Sequence, residues 1–172
     1  QGDKVTVYTA TQGIKGAQRT IAEVLQVPRE NVKVLCPFVG GGFGCKGSVW
    51  PHEYLTAMVA RDLHRPVKWM LTRRQMFTGC GNRPLMRQKI EIAADKNGKL
   101  AAIAHHVFNT TATYGSWTES GARQTRFLYA CPNVRTSHRL IPINVAIPCQ
   151  MRAPGHAPRA WDLEQAMDQL AY

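Results

Sequence analysis

Gly40-Gly41-Gly42-Phe43-Gly44 is the stretch that decides how this chain is interpreted. Four glycines in five positions remove the Cβ atoms that would keep a ligand away from the backbone N–H groups, and glycine adopts positive φ at little steric cost. An apolar segment typical of a strand precedes this glycine turn, and a helical pattern follows it. A turn in that position is typical of an anion-binding site, because its N–H groups can point toward the ligand.

The pattern around the glycine turn predicts alternating strands and helices. Alternating apolar residues predict a strand at residues 4–10, and apolar residues at helical spacing predict an amphipathic helix at 14–26. The β-branched segment 31–39 predicts a buried strand. Ser48 is expected to cap a second helix, and residues 67–71 predict a third strand. The expected order is therefore β-α-β-α-β.

The second half of the chain predicts a hairpin, a further strand and a helix. Residues 88–92 and 100–107 read as two strands joined at Asn97-Gly98, the preferred pair for a type I′ turn. Pro142 interrupts the apolar segment 134–145, so an edge or irregular strand is expected there. A C-terminal amphipathic helix is predicted from four apolar residues at helical spacing: Leu163, Ala166, Met167 and Leu170.

These elements predict a mixed α/β fold of the α+β class, with a β-α-β-α half followed by a β-hairpin and a C-terminal helix. We expect two parts, residues 1–80 with the glycine turn and residues 81–172 with the hairpin. The hydrophobic fraction of 44% suits a folded globular chain, and no apolar run is long enough to cross a bilayer. The net charge of +11 is carried by scattered Lys and Arg without a recognition motif, so no nucleic-acid partner is predicted.

The glycine turn matches two nucleotide-binding patterns only in part. Residues 42–47 satisfy G-x-G-x-x-G, but that fingerprint needs an acidic residue at the end of the next strand, about 20 residues on. Asp62 falls inside the predicted second helix instead. An ATP-binding loop also fails, because Lys46 is followed by Gly47 and not by Ser or Thr. Two interpretations stay open, a turn that permits tight packing and a turn whose N–H groups contact an anion or cofactor.

Five motifs together carry a more specific resemblance. They are Thr9-Ala10-Thr11-Gln12, Val27-Pro28 at a helix end, Gly40 to Lys46, Cys131-Pro132-Asn133-Val134, and Met151-Arg152-Ala153-Pro154-Gly155. In this order the chain resembles the molybdenum-binding large subunit of the xanthine dehydrogenase and aldehyde oxidase family. The last motif looks most similar to bacterial aldehyde oxidoreductases. The resemblance covers the whole chain and implies that it is an internal fragment of a larger molybdopterin-binding domain.

The resemblance implies specific cofactor contacts. Gln12 corresponds to a glutamine whose amide hydrogen-bonds an oxygen ligand of molybdenum, and Arg152 to the arginine of a second cofactor loop. The contacts of Gln12, Phe43 and Arg152 with the metal are expected to be indirect, through its ligands. The backbone of the glycine turn is expected to contact the metal ligands and the pterin at Gly41, Gly42, Phe43 and Gly44. From the residues alone, Gln12 as a turn cap and Arg152 in a surface ion pair remain alternatives.

Two departures from the family pattern bear on the substrate. Purine-hydroxylating members carry Glu at the position of Gly47 and Phe at the position of Pro154. Their loss implies that the pocket takes an aldehyde, which the parent enzyme would oxidise to a carboxylic acid with water as oxygen donor. A xanthine or N-heterocycle dehydrogenase and a standalone anion-binding scaffold without catalysis are the alternatives.

The family's glutamate base lies in a G-x-G-E context that this sequence lacks. None of Glu53, Glu91, Glu119 and Glu164 has that context, so the base is expected outside this chain and the chain alone is expected to be inactive. The resemblance implies a molybdopterin cytosine dinucleotide, with 2Fe-2S and FAD groups on partner subunits or domains besides the rest of the large subunit. A cytoplasmic location and a periplasmic location after export with a partner both stay open.

Overall fold

The structure is a computed structural model that describes residues 3–172. It contains two compact units, Gln1–Asn82 and Arg83–Tyr172, each with its own sheet and helices. Helices and strands are mixed in both units, which confirms the predicted α+β class. Within the described residues, none of the helices has the length and apolar content needed to cross a bilayer.

The first unit is built around a β-α-β crossover. Strand β1 (Val5–Tyr8) pairs in parallel with β2 (Val32–Leu35), and helix α1 (Ile14–Leu25) connects them. Helix α2 (Pro51–Asp62) packs against α1. The apolar core between sheet and helices consists of Ala17, Ile21, Ala22, Leu25, Val32, Val34 and Ala57. This core confirms the amphipathic pattern predicted for the first helix.

The expected third strand at residues 67–71 is wrong. The segment has no strand assignment, and it leaves Trp69 and Met70 exposed by 44% and 76%. A β-favouring sequence forms a strand only where a neighbouring strand offers hydrogen bonds, and the described sheet of this unit ends at two strands. The order of the first unit is therefore β-α-β-α followed by a short helix α3, Arg73–Gly79.

Two helix starts differ from the sequence prediction. Helix α2 begins at Pro51 after the N-cap Trp50, so the prediction of Ser48 as cap is wrong. The Trp50 N–H donates to the Glu53 carboxylate at 3.0 Å, and proline suits the first helical position because it needs no N–H partner there. Helix α3 was not predicted, although its capping box is visible in the sequence. Thr72 Oγ1 accepts from the Gln75 N–H at 3.2 Å, and Gln75 Oε1 accepts from the Thr72 N–H at 2.8 Å.

The second unit is a three-stranded sheet with one helix packed on it. The strands are β3 (Met86–Ala94), β4 (Leu100–Ala112) and β5 (Val134–Ile143), in the order β3-β4-β5. The β3–β4 pair is antiparallel, which confirms the hairpin, and β5 runs parallel to β4 at the edge of the sheet. Helix α4 (His156–Ala171) packs against β3. The edge position of β5 was predicted from Pro142, which lacks an N–H to donate to a further strand.

The hairpin turn is not of type I′. That turn needs positive φ at both central residues, whereas Gly98 has φ +78° and Asn97 is not among the residues with positive φ. The Asp95 carboxylate accepts from the N–H groups of Asn97 and Lys99 at 2.9 Å each. The register shifts between Ala93 and Ala94, so an aspartate-centred turn with a bulge replaces the two-residue turn.

Candidate functional site

The glycine turn presents a run of unpaired backbone donors. Among the described residues, the N–H groups of Gly41, Gly42, Phe43 and Gly44 donate to no protein acceptor. The next N–H groups are used within the turn, since Cys45 donates to the Gly42 carbonyl at 3.1 Å and Gly47 to the Gly44 carbonyl at 3.1 Å. Such a row of free N–H groups can donate hydrogen bonds to an anionic or oxygen-rich ligand.

Positive φ angles give the turn its shape. Gly40 has φ +63° and Gly44 has φ +109°, values that glycine adopts without a Cβ penalty. Phe43 also has positive φ, +48°, and its ring is 65% exposed. A bulky residue in the left-handed region is a strained conformation, and such residues concentrate at functional sites.

The Gln12 carboxamide lies directly against this turn. A Cβ built on Gly42 would lie 2.9 Å from Gln12 Oε1 and 3.1 Å from Cδ, closer than real Cβ contacts. The Gln12 N–H is anchored on the Lys46 carbonyl at 2.8 Å, while its exposed carboxamide has no hydrogen-bond partner among residues 3–172. The structure therefore brings together Gln12 and the glycine turn, and it shows why position 42 is glycine.

Polar contacts below the turn hold it to the first unit. The Lys46 ammonium donates to the Val39 carbonyl, which closes the turn on itself. The buried Glu53 carboxylate accepts from the Thr9 hydroxyl at 2.9 Å, which ties the segment after β1 to helix α2. The first contact holds the turn closed, and the second fixes β1 and α2, the elements that flank it in the first unit.

The cysteines beside the turn are structural in this arrangement. The Cys45 thiol donates to the Gly42 carbonyl at 3.2 Å and so stabilises the turn from within. Cys80 is buried, and burial raises the pKa of its thiol, with further increases from Cys45 and Glu53. A raised pKa keeps the Cys80 thiol neutral at physiological pH, which disfavours it as a nucleophile or metal ligand.

The second predicted loop, residues 152–155, lies in the second unit. Ala153 has φ +54° and Gly155 has φ +69°, so the loop contains two left-handed residues in three positions. Arg152 is exposed, and its guanidinium makes no ion pair with any described residue. The surface ion pair considered for Arg152 is therefore not found within the described part of the chain. The positive charge of the Arg152 guanidinium is available to a ligand.

The two residues expected to shape the substrate pocket lie in different units. Gly47 is exposed at the end of the glycine turn, and Pro154 is exposed in the second loop. The Pro154 carbonyl accepts from Arg159 Nη2 at 2.8 Å, so its backbone is fixed while its ring stays accessible.

The glutamates considered as bases all have structural partners. Glu53 and Glu119 are buried and hydrogen-bonded, and the Glu164 carboxylate accepts from the Tyr129 hydroxyl at 2.7 Å. Glu91 is exposed, and its hydrogen bond and charge pairing with Lys89 at 2.9 Å lower the pKa of its carboxyl. A general base needs a carboxylate that is not engaged elsewhere, and each of these four is paired with a neighbouring side chain.

Sequence reasoning did not find a charged group that supports the second loop. Arg83, Glu119 and Arg159 converge on the backbone of residues 152–155. Glu119 is fully buried and Arg159 is 2% exposed. The spacing of Gly155 and Arg159, four residues apart at a helix start, is a signal in the sequence. It places the arginine above the last loop residue.

The comparisons with known proteins identify the family of the chain. The family model for the molybdopterin cofactor-binding domain matches residues 1–172. The aldehyde oxidoreductase molybdenum-binding subunit PaoC of Escherichia coli (strain K12) is 38% identical over 170 residues, which are 99% of this chain and 23% of that subunit. The chain thus spans about a quarter of the length of this curated relative.

Solved structures share the fold. Quinoline 2-oxidoreductase from Pseudomonas putida 86 superimposes with a TM-score of 0.85 and 25% identity over 98% of this chain and 23% of its own. The aldehyde oxidoreductase from Desulfovibrio desulfuricans gives a TM-score of 0.86 at 22% identity, over 99% of this chain and 19% of its own. The family model matches the chain over its full length, and a curated relative is 38% identical to it. The chain therefore belongs to the molybdopterin cofactor-binding domain family.

Proposed function

We propose that this chain forms part of a molybdenum hydroxylase that oxidises aldehydes to carboxylic acids, and that it supplies part of the molybdopterin site. The observation that carries the proposal is the row of unpaired N–H groups at residues 41–44 beside the free Gln12 carboxamide. Backbone N–H groups and an amide donate hydrogen bonds to oxygen ligands at any physiological pH, because neither titrates there. Such donors suit an oxygen-rich anionic cofactor.

The residues present fit this cofactor on steric grounds. Gly42 leaves the space that the Gln12 carboxamide occupies, so the amide and the open N–H groups form one continuous donor surface. The molybdenum centre, when bound, supplies the two-electron redox chemistry. The chain's own contribution is to bind and orient the cofactor through Gln12, Gly41, Gly42, Phe43 and Gly44.

Arg152 extends the proposal to the second unit. Its exposed guanidinium can form two hydrogen bonds at once and suits the anionic groups of a molybdopterin nucleotide, which we propose is the cytosine dinucleotide form. The division into a glycine-turn part, 1–80, and a second-loop part, 81–172, assigns one cofactor-binding segment to each.

The aldehyde specificity rests on Gly47 and Pro154. Neither residue can supply the carboxylate or the flat aromatic surface that holds a purine, and both lie exposed at the two loops. The 38% identity to an aldehyde oxidoreductase subunit supports the same substrate class. We further propose that the catalytic glutamate lies in another part of the parent subunit, and that iron–sulfur and FAD partners receive the electrons.

The test is to measure how much molybdenum and how much pterin nucleotide the assembled enzyme that contains this chain holds. Gln12→Ala and Arg152→Met are each expected to lower molybdenum occupancy about tenfold, which corresponds to about 1.4 kcal/mol of binding free energy. The matched controls are Gln169→Ala and Arg74→Met, which change exposed side chains on helices α4 and α3, outside the two loop segments, and should retain molybdenum. An assembled wild-type enzyme without molybdenum would overturn the proposal.

A second candidate substrate class is an N-heterocycle. The TM-score of 0.85 to quinoline 2-oxidoreductase, at 25% identity, is the observation that favours it. Comparing kcat/KM for aromatic aldehydes with that for quinoline and xanthine on the assembled enzyme decides between the two classes. Gly47→Glu should reduce aldehyde turnover, because it places a carboxylate where we propose that the aldehyde binds.

A further inference from the structure

We propose that Arg83 and Glu119 are positioning residues that clamp the loop at residues 152–155 and thereby fix where the Arg152 guanidinium can reach. The inference rests on the proposed function, because it takes Arg152 as a cofactor contact. It adds two residues that neither the family resemblance nor the sequence pattern had indicated.

Glu119 is the centre of the clamp. Its side chain is fully buried, and its Oε1 accepts from Arg83 Nη1 at 3.0 Å and from the Gly155 N–H. The Glu119 carbonyl accepts from Asn109 Nδ2 on β4 at 2.9 Å, so the backbone that carries this carboxylate is itself tied to the sheet. Glu119 thus links the last residue of the loop, through its carboxylate, to strand β4, through its backbone carbonyl.

Arg83 connects the same carboxylate to the start of the loop. Its Nη1 contacts Glu119, and its Nη2 donates to the Arg152 carbonyl at 2.6 Å. One planar guanidinium therefore bridges Glu119 and the residue whose own guanidinium we propose contacts the cofactor. The rigid fork of arginine makes this geometry difficult for lysine to reproduce in full.

Arg159 completes the support from helix α4. The side chain is 2% exposed, its Nη2 donates to the Pro154 carbonyl at 2.8 Å, and its Nε donates to the Gly155 carbonyl. Together the three charged residues engage the carbonyls of residues 152, 154 and 155 and the N–H of residue 155. This leaves the loop backbone little freedom while the Arg152 side chain stays exposed.

The energetics favour positioning over stability as the role of the clamp. Burying charged groups removes their hydration, and a buried pair replaced by apolar residues is often no less stable. A buried carboxylate that accepts from a backbone N–H does, however, restrict geometry, since losing it removes the acceptor of Arg83 Nη1 and of the Gly155 N–H. The expected consequence of breaking the clamp is a mobile loop.

The experiment uses the assembled enzyme with Glu119→Gln, Arg83→Met and Arg83→Lys. The control is Glu91→Gln, which removes an equivalent carboxylate from an exposed pair with Lys89 at 2.9 Å. Arg83→Met is expected to increase deuterium uptake at residues 152–156 about tenfold and to release molybdenum faster on dialysis. Glu119→Gln keeps an accepting oxygen but loses the charge, so it should increase uptake by a smaller factor. Arg83→Lys should restore part of the protection, and Glu91→Gln should match the wild type.

A positional role is separated from a general loss of folding by two further readouts. The electron paramagnetic resonance signal of the reduced molybdenum centre should shift in Arg83→Met, while exchange in β4 and α4 stays at wild-type levels. If Glu119→Gln does not fold, the partly exposed Arg83 provides the decisive variants. Unchanged loop exchange in Arg83→Met overturns the clamp. Unchanged molybdenum retention in Arg152→Met, with loop exchange still raised in Arg83→Met, overturns the role of Arg152 instead.

Discussion

The two proposed cofactor loops are positioned in opposite ways. In the first unit, the glycine turn is shaped by the absence of side chains, because Gly42 leaves room for the Gln12 carboxamide. In the second unit, residues 152–155 are held by charged side chains, Arg83, Glu119 and Arg159. A ligand-facing backbone can thus be fixed by close packing or by buried hydrogen bonds to charged groups.

The cores behind the loops differ in the same sense. The hydrophobic cluster of the first unit contains seven buried residues, and the buried polar side chains described there are Thr11 and Glu53. The buried side chains of the second unit include His105, Asn109, Glu119 and Arg159. We expect the first loop to respond mainly to changes in volume, and the second to changes in charge and pH.

The largest expected effect comes from Gly155→Ala. The added Cβ would clash with Arg159 Nη2, and φ at this position is +69°. Displacing a buried arginine from its acceptors should cost about 4 kcal/mol of local stability. Hydrogen exchange of the α4 amides measures it.

The matched control for this variant is Gly98→Ala. Gly98 has a similar φ of +78°, but a Cβ there meets nothing within 4 Å. Gly98→Ala should therefore lower the local stability only by the energy of placing alanine in the left-handed region, about 1 kcal/mol. Equal effects of the two variants would show that Arg159 moves aside freely and that the clamp is loose.

The next effect concerns acid sensitivity of the second unit. Burial, with smaller contributions from His138 and His106, lowers the pKa of His105 to about 4. In the unfolded chain, His105 has the usual histidine pKa of about 6.5. Below that pH the unfolded chain binds a proton on His105 and the folded chain does not, so the free energy of unfolding falls as the pH drops from about 6.5 to about 4. The loss reaches about 3 kcal/mol, since one pKa unit is about 1.4 kcal/mol.

Histidine NMR measures this directly. His105 Nδ1 lies 2.7 Å from the Thr125 hydroxyl and Nε2 lies 2.8 Å from Gln88 Oε1, so the neutral ring has a partner on each nitrogen. The His105 signal, assigned with His105→Gln, should stay neutral at pH 5.5. Protonation between pH 6 and 7 would contradict the buried polar core as the source of acid sensitivity.

The fold was predictable where local pattern and tertiary environment agree. The crossover of the first unit, the hairpin and the edge strand with Pro142 were all visible in the sequence. The segment 67–71 failed because strand formation depends on a neighbouring strand that the pattern cannot show. The Asn97-Gly98 turn failed because the Asp95 carboxylate captured two N–H groups and shifted the register.

The candidate site was predictable only in its exposed half. Gln12, the glycine turn and Arg152 were proposed as cofactor contacts from short motifs, which are local in the sequence. Arg83 and Glu119 were not, because they lie 36 residues apart and meet only in the fold. Residues that hold a loop through long-range contacts have no short sequence motif, so their role is visible only in the hydrogen bonds of the folded chain.

Gly42→Ala tests the packing side of the comparison. Its Cβ would meet Gln12 Oε1 at 2.9 Å and displace the carboxamide from the donor surface. We expect molybdenum occupancy to fall about fivefold, or about 1 kcal/mol, with little change in the unfolding midpoint because Gln12 is exposed. In the double variant with Gln12→Ala, the second change should add nothing, as residues in contact are not additive. Fully additive losses would mean that the two residues act separately.

The smallest expected effect has the opposite sign. Gly16 lies inside helix α1, and a Cβ there meets nothing within 4 Å. Gly16→Ala should therefore stabilise the first unit by roughly 0.5–1 kcal/mol, because alanine loses less backbone entropy in a helix than glycine does. Hydrogen exchange of the α1 amides measures the gain, and molybdenum content should stay unchanged. A loss of cofactor in this variant would show that helix α1 transmits strain to the glycine turn. The packing effect could then no longer be assigned to the contact between Gly42 and Gln12 alone.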